Sequence, residues 1–423
     1  MPTPTQDLTL GHARRVVAEH GFLTSAPSRP APTSPGAARL GIEIEWHTVR
    51  TDDPERAVPF DRLESIARSI PLPGRSRLTF EPGGQVELSS QPLPHFDACR
   101  VIRSDAAALT TGLAAEGIGL VGVGLLPGPR TRVLRSPRYD AMEAHFDALG
   151  DAGRTMMRQT AAVQVNVDLG PDQQSPSRWQ SAHALGPLLA AVFANSPFAA
   201  SGPSGWSSTR LAVWLALEGG RSAPVGTNGG AGSAWAEYAL RAPVMCIRVS
   251  DDEFVPVCEP LTFADWIVDG HELGWPTEDD LTYHLTTLFP PIRPRGWLEL
   301  RMIDALPSEW FTVPAILTAA LLEDSEASVQ IARGLAPLAG RWADAARDGL
   351  RDADFAAAAK DCFGAARRAL GRLGARRDIT DILELYRERY VDRGRCPADD
   401  LLESWQTTGR LTPMPESAPA PVD

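Results

Sequence analysis

The 423-residue sequence predicts an α+β fold, with a mainly antiparallel sheet backed by helices. Three observations point there. Short segments with period-two alternation recur through the first three quarters of the chain, and longer segments with 3.6-residue spacing separate them. The last quarter, rich in Ala, Leu and Arg, keeps helical spacing alone.

Taken in order, residues 6–21 read as a short helix, and Thr24 to Ala38 (TSAPSRPAPTSPGAA) is too rich in proline and small residues for a regular element. Strands are expected at RLGIEIEWH (39–47), SRLTFEP (76–82) and GQVELSS (84–90), then a helix from about His95 to Glu116 and a strand at GIGLVGVG. A helix at YDAMEAHFDALG leads to the strand AAVQVNVDL (161–169) and a helix from Trp179 to Phe193. The Gly-rich stretch from Ser201 to Gly232 reads as the longest loop. Strands at VMCIRV and GWLELRMID (296–304) flank helices at FADWIVDG and DDLTYHLTTLF, and helices run from Trp310 to about Trp405. The expected organisation is an N-terminal helix with a Pro-rich linker (1–38), a core (39–330), a helical part packed on it (331–408) and a disordered tail (409–423).

Composition removes several function classes. A net charge of -12 and a pI near 5.2 disfavour nucleic acid as a partner, because such binding rests on cations that neutralise phosphates. The N-terminus lacks the apolar run of a secretory signal, and no stretch is apolar enough to span a membrane, so a cytoplasmic location is expected. Cys99, Cys246, Cys258, Cys362 and Cys396 are scattered and form no C-x-x-C pair, which suits reduced thiols. Lys360, the only lysine, stands in AAAAKDCF outside any Gly-rich turn, so there is no P-loop and any phosphate must be held by arginine, metal or backbone.

Strand alternation puts Glu43 and Glu45 of GIEIEW on one face and Ile42, Ile44 and Trp46 on the other. Glu81 and Glu87 flank a Pro-Gly-Gly turn that brings both carboxylates to one end of the sheet. Gln164, Asn166 and Asp168 share a face, as do Trp297, Glu299 and Arg301. Such faces could simply be solvated. Against that, they carry carboxylates, amides and an arginine, with few of the lysines and hydroxyls that cover a wet sheet, and so read as the lining of a polar cavity. Clustered carboxylates suit Mg2+, which takes hard oxygen ligands together with phosphate oxygens and water. Interspersed arginines add forked donors for a carboxylate or a transferring phosphate.

Together the segments GIEIEW, FEPGGQVELS, MMRQTAAVQVNVD, ANSPF, EYALRAPV and HLTTLFPPIRPRGWLELRMID resemble the glutamate–cysteine ligases of the plant and proteobacterial type, in particular the actinobacterial ligase that supplies γ-glutamylcysteine for ergothioneine. The resemblance implies a glutamine-synthetase-like core whose curved antiparallel sheet forms a funnel. It implies ATP as co-substrate, Mg2+ or Mn2+ as cofactor, L-glutamate and L-cysteine as substrates, and reaction through γ-glutamyl phosphate. Glu43, Glu45, Glu81, Glu87 and Glu299 then match the metal ligands, with Gln164 near the metal and nucleotide. Arg158, Arg210, Tyr238 and Arg301 match substrate or phosphate holders: Arg210 and Tyr238 on glutamate, Arg301 on the developing phosphate.

Some residues keep two readings. Arg158 is a substrate holder or an exposed helix-end arginine, Trp214 a substrate wall or a core residue, and Arg293 and Arg295 hold the triphosphate or are solvated loop charges. His284, on the amphipathic YHLTTLF segment, reads as a structural brace rather than a general base. A monomer is expected. Two other functions fit less well: a ligase of the same fold that uses another amine, and a non-catalytic binding protein on that fold, which would have no need of five glutamates facing one cavity.

Overall fold

The computed structural model describes residues 8–22, 38–54, 56–94, 96–170, 175–227 and 229–415. Its architecture is the expected antiparallel sheet with helices packed around it. In chain order the first half comprises α1 (Leu10–Phe22), β1 (Arg39–Arg50), α2 (Phe60–Ser69), β2 (Arg77–Phe80), β3 (Val86–Ser89), β4 (Leu93–Pro94), α3 (Asp97–Ala115), β5 (Ile118–Val121), α4 (Pro137–Asp147), α5 (Ala152–Gln159), β6 (Ala162–Asp168) and α6 (Ser175–Val192). A small ribbon of β7 (Phe198–Ala199) and β8 (Gly202–Pro203) precedes α7 (Thr209–Leu217), α8 (Gly219–Ser222) and α9 (Ala231–Arg241). A second ribbon, β9 (Cys246–Arg248) and β10 (Phe254–Pro256), leads to α10 (Phe263–Asp269), α11 (Glu278–Leu285), β11 (Ile292–Pro294) and β12 (Trp297–Asp304). The remainder is helical: α12 (Val313–Glu323), α13 (Ser325–Gly334), α14 (Trp342–Asp348), α15 (Ala353–Arg372), α16 (Arg377–Arg389) and α17 (Pro397–Thr408).

The main sheet runs β11-β12-β6-β1-β3-β2, and the long β1 pairs also with β4 near its start and β5 near its end. Every pairing is antiparallel. Alternation decides which face is apolar: Ile42, Ile44 and Trp46 of β1, Val163, Val165 and Val167 of β6, and Leu298 and Leu300 of β12 are all at most 1% exposed. That face packs on α6 and α12, whose side chains are buried nearly all round, and Trp46 meets Phe311 edge to face at 6.0 Å. A helix that is apolar on every side is stable only between other layers, and α13 to α16 supply the outer one.

Local chemistry sets several boundaries. Thr262 with Asp265, and Thr277 with Asp280, form reciprocal capping boxes that start α10 and α11. Ser136 caps α4, with Pro137 at the first helical position. The N-terminal helix, expected at 6–21, spans Leu10–Phe22 and packs on α9, and the Gly21 carbonyl accepts from Gly296 N at 2.9 Å.

Two expectations need correction. The stretch 201–232 is no single loop, since it contains α7 and α8: the run TRLAVWLAL is a good helix former, and the Ser208 hydroxyl caps it by accepting from Leu211 N. Glycines on either side concealed that helix. Helices α2 and α5 also occupy segments where none was expected. The linker expected over 24–38 lies almost wholly outside the described residues, as do residues 416–423 of the expected tail. Within that tail, Thr412 is buried and Pro415 lies over Gly119 of β5.

Candidate active site

Strand register stacks the polar side chains into rungs. Arg293, Glu299, Asn166 and Gly41 align across β11, β12, β6 and β1; Gln164, Glu43 and Ser89 form the next rung; Glu45, Glu87 and Thr79 form the third. The amides on β6 link neighbouring strands. Asn166 donates to Glu43 at 2.9 Å and accepts from the Trp297 indole at 2.8 Å, while Gln164 donates to Glu45 at 3.0 Å and accepts from Arg301 at 2.6 Å. Ala162 N supplies Glu45 with a further donor at 2.9 Å. Glu45 is 9% exposed, Gln164 5% and Glu299 2%, so this is no water-covered sheet face.

The turn from β2 to β3 brings in Glu81. Gly84 N donates to the Glu81 carbonyl, and Glu81 N to the Gln85 carbonyl, closing the Pro-Gly-Gly turn. Carboxylate oxygens of Glu45, Glu81 and Glu87 lie within 4.8 Å of one another. Glu87 is oriented by the hydroxyls of Thr79 at 2.6 Å and Ser89 at 2.9 Å.

Charge sets Glu43, Glu45 and Glu81 apart from Glu299. Burial, reinforced by Glu299 and Glu87, raises Glu43 to about 7; burial with the Glu87 charge raises Glu45 to about 7; and burial with Glu45 and Glu87 lifts Glu81 well above the usual carboxylate range. Glu299 goes the other way: although burial opposes its charge, Arg293 and Arg301 hold it at about 2. Arg293 makes a forked pair to Glu299 at 2.5 and 3.1 Å, and Arg301 reaches it at 3.1 Å. The group around Glu45 thus has more negative than positive charge, with hard oxygen donors pointing together. That donor set fits a divalent cation such as Mg2+. Glu299 is already matched by arginine.

A β-bulge shapes the arginine end. Leu300 pairs with Val165 and Ile303 with Val163, so Arg301 and Met302 together oppose Gln164. Alternation resumes one residue out of phase, so that Asp304 rather than Ile303 turns to the polar face. Asp304, 1% exposed, escaped the sequence reading although M-I followed by D broke the alternation there. It accepts from Asn195 N at 2.8 Å, Ser196 Oγ at 2.7 Å and Ser208 Oγ at 2.9 Å. Arg210 Nη1 lies 3.7 Å from it, and Arg210 Nη2 donates to the Arg301 carbonyl at 2.9 Å.

The other expected site residues are spread more widely. Trp214 is half-buried beneath the Arg210 guanidinium, 5.9 Å from it, and lines a small cavity with Arg210, Arg301 and Phe289. It is a cavity wall. Arg158 pairs with Glu143, which also holds Arg132, and faces a cleft of about 270 Å³ lined by His47, Gln85 and Thr131. Tyr238 stacks on Trp235 at 5.6 Å near Arg221 and Glu218. Arg293 is buried, so the solvated reading fails for it, whereas Arg295 is 45% exposed over Trp297 and 3.8 Å from Glu299. His284 is a brace: its Nε2–H donates to the Ala239 carbonyl at 2.9 Å, and burial depresses its basicity to about 3.

The chain is also similar to known proteins. Residues 39–417 match the profile of Glutamate-cysteine ligase family 2 (GCS2). The chain is 43% identical over 373 residues to the glutamate–cysteine ligase EgtA of Mycolicibacterium smegmatis, covering 86% of each chain. It is 41% identical over 375 residues to EgtA of Mycobacterium tuberculosis, covering 86% of this chain and 85% of that one. A chloroplastic glutamate–cysteine ligase of Oryza sativa is 30% identical over 288 residues, 66% of this chain and 57% of the plant protein. The crystal structure of a Francisella tularensis glutamate–cysteine ligase in complex with AMP shares the fold, with a TM-score of 0.52 and 12% identity over 88% of this chain and 85% of the other. On the family profile and these relatives, the chain belongs to glutamate–cysteine ligase family 2.

Proposed function

We propose that the protein joins the γ-carboxylate of L-glutamate to the amine of L-cysteine at the expense of ATP, giving γ-glutamylcysteine, ADP and phosphate. The observation that carries this reading is the juxtaposition, at the polar face of the sheet, of the Glu45, Glu81 and Glu87 carboxylates with Arg301 of β12 and Arg210 of α7. A carboxylate does not acylate an amine at neutral pH because oxide is so poor a leaving group; phosphorylation supplies a better one. In the first step a γ-carboxylate oxygen bonds to the γ-phosphorus as the bond to ADP breaks. In the second the amine nitrogen bonds to the carbonyl carbon, phosphate leaves, and the nitrogen loses a proton.

In this scheme Glu45, Glu81 and Glu87, with Glu43 beside them, hold Mg2+, which neutralises the triphosphate when bound. Arg210 receives the glutamate, and Arg301, held by Gln164 and Glu299, meets the charge spread over the transferring phosphoryl group. Arg295, half exposed at the Trp297 end of the rungs, would hold the triphosphate, and Arg293 keeps Glu299 fixed. The work of these residues is positioning and electrostatics. Arg158 and Tyr238 are assigned to substrate by family resemblance. Five free thiols suit a reducing cytoplasm, and among the described residues no helix is long and apolar enough to cross a membrane. Identity to EgtA proteins supports ergothioneine as the destination of the dipeptide.

The test combines product and isotope. Purified protein is given ATP, Mg2+, glutamate labelled with 18O in the γ-carboxylate, and in turn cysteine, 2-aminobutyrate, serine or alanine. Expected are γ-glutamylcysteine and one labelled oxygen in the released phosphate, with both lost by at least about a hundredfold in Glu45→Gln. Coupling of another amine in preference would remove cysteine as the substrate, and unlabelled phosphate would remove the acyl phosphate.

A further inference from the structure

Arg210 is a buried cation whose guanidinium is only partly used. Its Nη2 donates to the Arg301 carbonyl, whereas Nε and Nη1 are buried without a hydrogen-bond partner. Two unspent donors on one guanidinium cost stability unless something else needs them. They stand within electrostatic reach of Glu45 and beside the cavity walled by Trp214 and Phe289.

What keeps that guanidinium in place is Asp304. Its Oδ2 accepts from Asn195 N and the Ser196 hydroxyl, and its Oδ1 from the Ser208 hydroxyl. The same Ser196 oxygen accepts from Arg210 N at 3.1 Å, so carboxylate and arginine backbone share one anchor. Asn195 is itself fixed, its side-chain amide donating to the carbonyls of Gly122 and Ala305 at 2.8 Å each. Gly124 leaves room for the arrangement, since a Cβ there would lie 2.3 Å from Asp304 Cγ. The ANS segment, the Ser208 cap and the bulge of β12 therefore converge on one carboxylate that points at Arg210 without spanning the final 3.7 Å as a hydrogen bond.

We infer that Asp304 is a positioning residue for substrate: clamped by Asn195, Ser196 and Ser208, it holds the Arg210 guanidinium beside the cavity walled by Trp214 and Phe289, with Nε and Nη1 left to donate to the carboxylate of the incoming glutamate. A direct Asp304 hydrogen bond to those atoms would satisfy the arginine and leave nothing for substrate. A carboxylate just beyond bonding distance steers the cation and keeps it available. This rests on the reading that Arg210 binds glutamate.

The experiment is a double-mutant cycle on glutamate affinity, with Asp304→Asn, Arg210→Ala and both together. It is read as the glutamate KM and, so that activity is not required, as the calorimetric Kd for glutamate on enzyme loaded with Mg2+ and a non-hydrolysable ATP analogue. Expected is a rise of about tenfold or more in each single variant, an ATP KM within about twofold of wild type, and a double variant no worse than Arg210→Ala. Independent effects that multiply, or an unchanged glutamate affinity in Asp304→Asn beside a weakened Arg210→Ala, overturn the inference. If Arg210→Ala binds glutamate normally, the reading of Arg210 itself fails and the inference falls with it. Should Asp304→Asn not fold, Ser196→Ala takes its place in the same cycle, removing the shared anchor while leaving the carboxylate, with a weakening of about threefold expected and none overturning the inference.

Discussion

Glu299 and Glu81 face the same cavity yet differ in what balances them. Glu299 is buried against Arg293 and Arg301, so its charge is part of what holds β11 to β12. Glu81 is half-buried beside Glu45 and Glu87, so the fold resists its ionisation until a cation arrives. The two Glu→Gln substitutions should therefore shift stability in opposite ways. Glu299→Gln leaves Arg293 buried beside an amide and should cost about 3 kcal/mol in the metal-free protein. Glu81→Gln removes a repelled carboxylate and should cost nothing or stabilise slightly, within about 1 kcal/mol. Mg2+ distinguishes them again: at about a hundred times its Kd it should add about 2.7 kcal/mol to wild type and much less to Glu81→Gln. Urea unfolding with and without Mg2+ measures all four quantities, and equal Mg2+ stabilisation of wild type and Glu81→Gln would remove Glu81 from the cation site.

At the level of elements, the site depends on a close approach that needs a glycine. A Cβ on Gly83 would lie 2.3 Å from the Arg158 carbonyl oxygen, and both sides of that contact are backbone, so neither can rotate away. Gly83→Ala should separate the β2–β3 turn from α5, at a cost of about 2 to 3 kcal/mol, and should weaken Mg2+ binding because Glu81 and Glu87 flank the turn. Gly11 in α1 is the control: with open space around it, Gly11→Ala should stabilise by up to about 1 kcal/mol and leave Mg2+ binding alone. Equal effects from the two would show that the contact is not what holds the turn.

The same elements show what the sequence could reveal. Alternation in GIEIEW, AAVQVNVDL and the start of GWLELRMID made three strands and their polar faces legible, because a strand buried on one side must repeat every two residues. The bulge at Arg301 and Met302 shifted that phase and hid Asp304, although consecutive Met302 and Ile303 marked the break. Ser196 and Ser208 carried no periodic signal, since their part is to donate to a carboxylate about a hundred residues away in sequence. The pairing of Glu299 with Arg293 was equally hidden, because register, not composition, decides which cations of a neighbouring strand face which carboxylates.

For the molecule as a whole, buried neutral histidines work against stability in mild acid. His284 donates to Ala239 and lies against Phe263; His183 bonds to the Trp179 carbonyl with its ring 4.0 Å from the indole. Burial depresses them to about 3 and about 4. In the unfolded chain both take up a proton near pH 6.5, in the fold only well below it, so between those limits the unfolded state binds more protons and stability rises with pH. Above about pH 6.5 the two contribute no slope; on acidification toward pH 5 each should cost about 2 kcal/mol. Glu299, held at about 2, keeps its contribution until the pH falls into the ordinary carboxylate range, whereas Glu43 and Glu45, raised to about 7, gain stability on acidification across this window and oppose the histidines. The histidine part is therefore read from urea unfolding between pH 7.5 and 5 as the difference between wild type and a histidine variant. In His284→Gln, whose amide can still donate to the Ala239 carbonyl, the change in stability from pH 7.5 to 5 should be about 2 kcal/mol more favourable than in wild type; an identical pH dependence would mean that His284 titrates normally in the fold and that its packing against α9 opens readily to water.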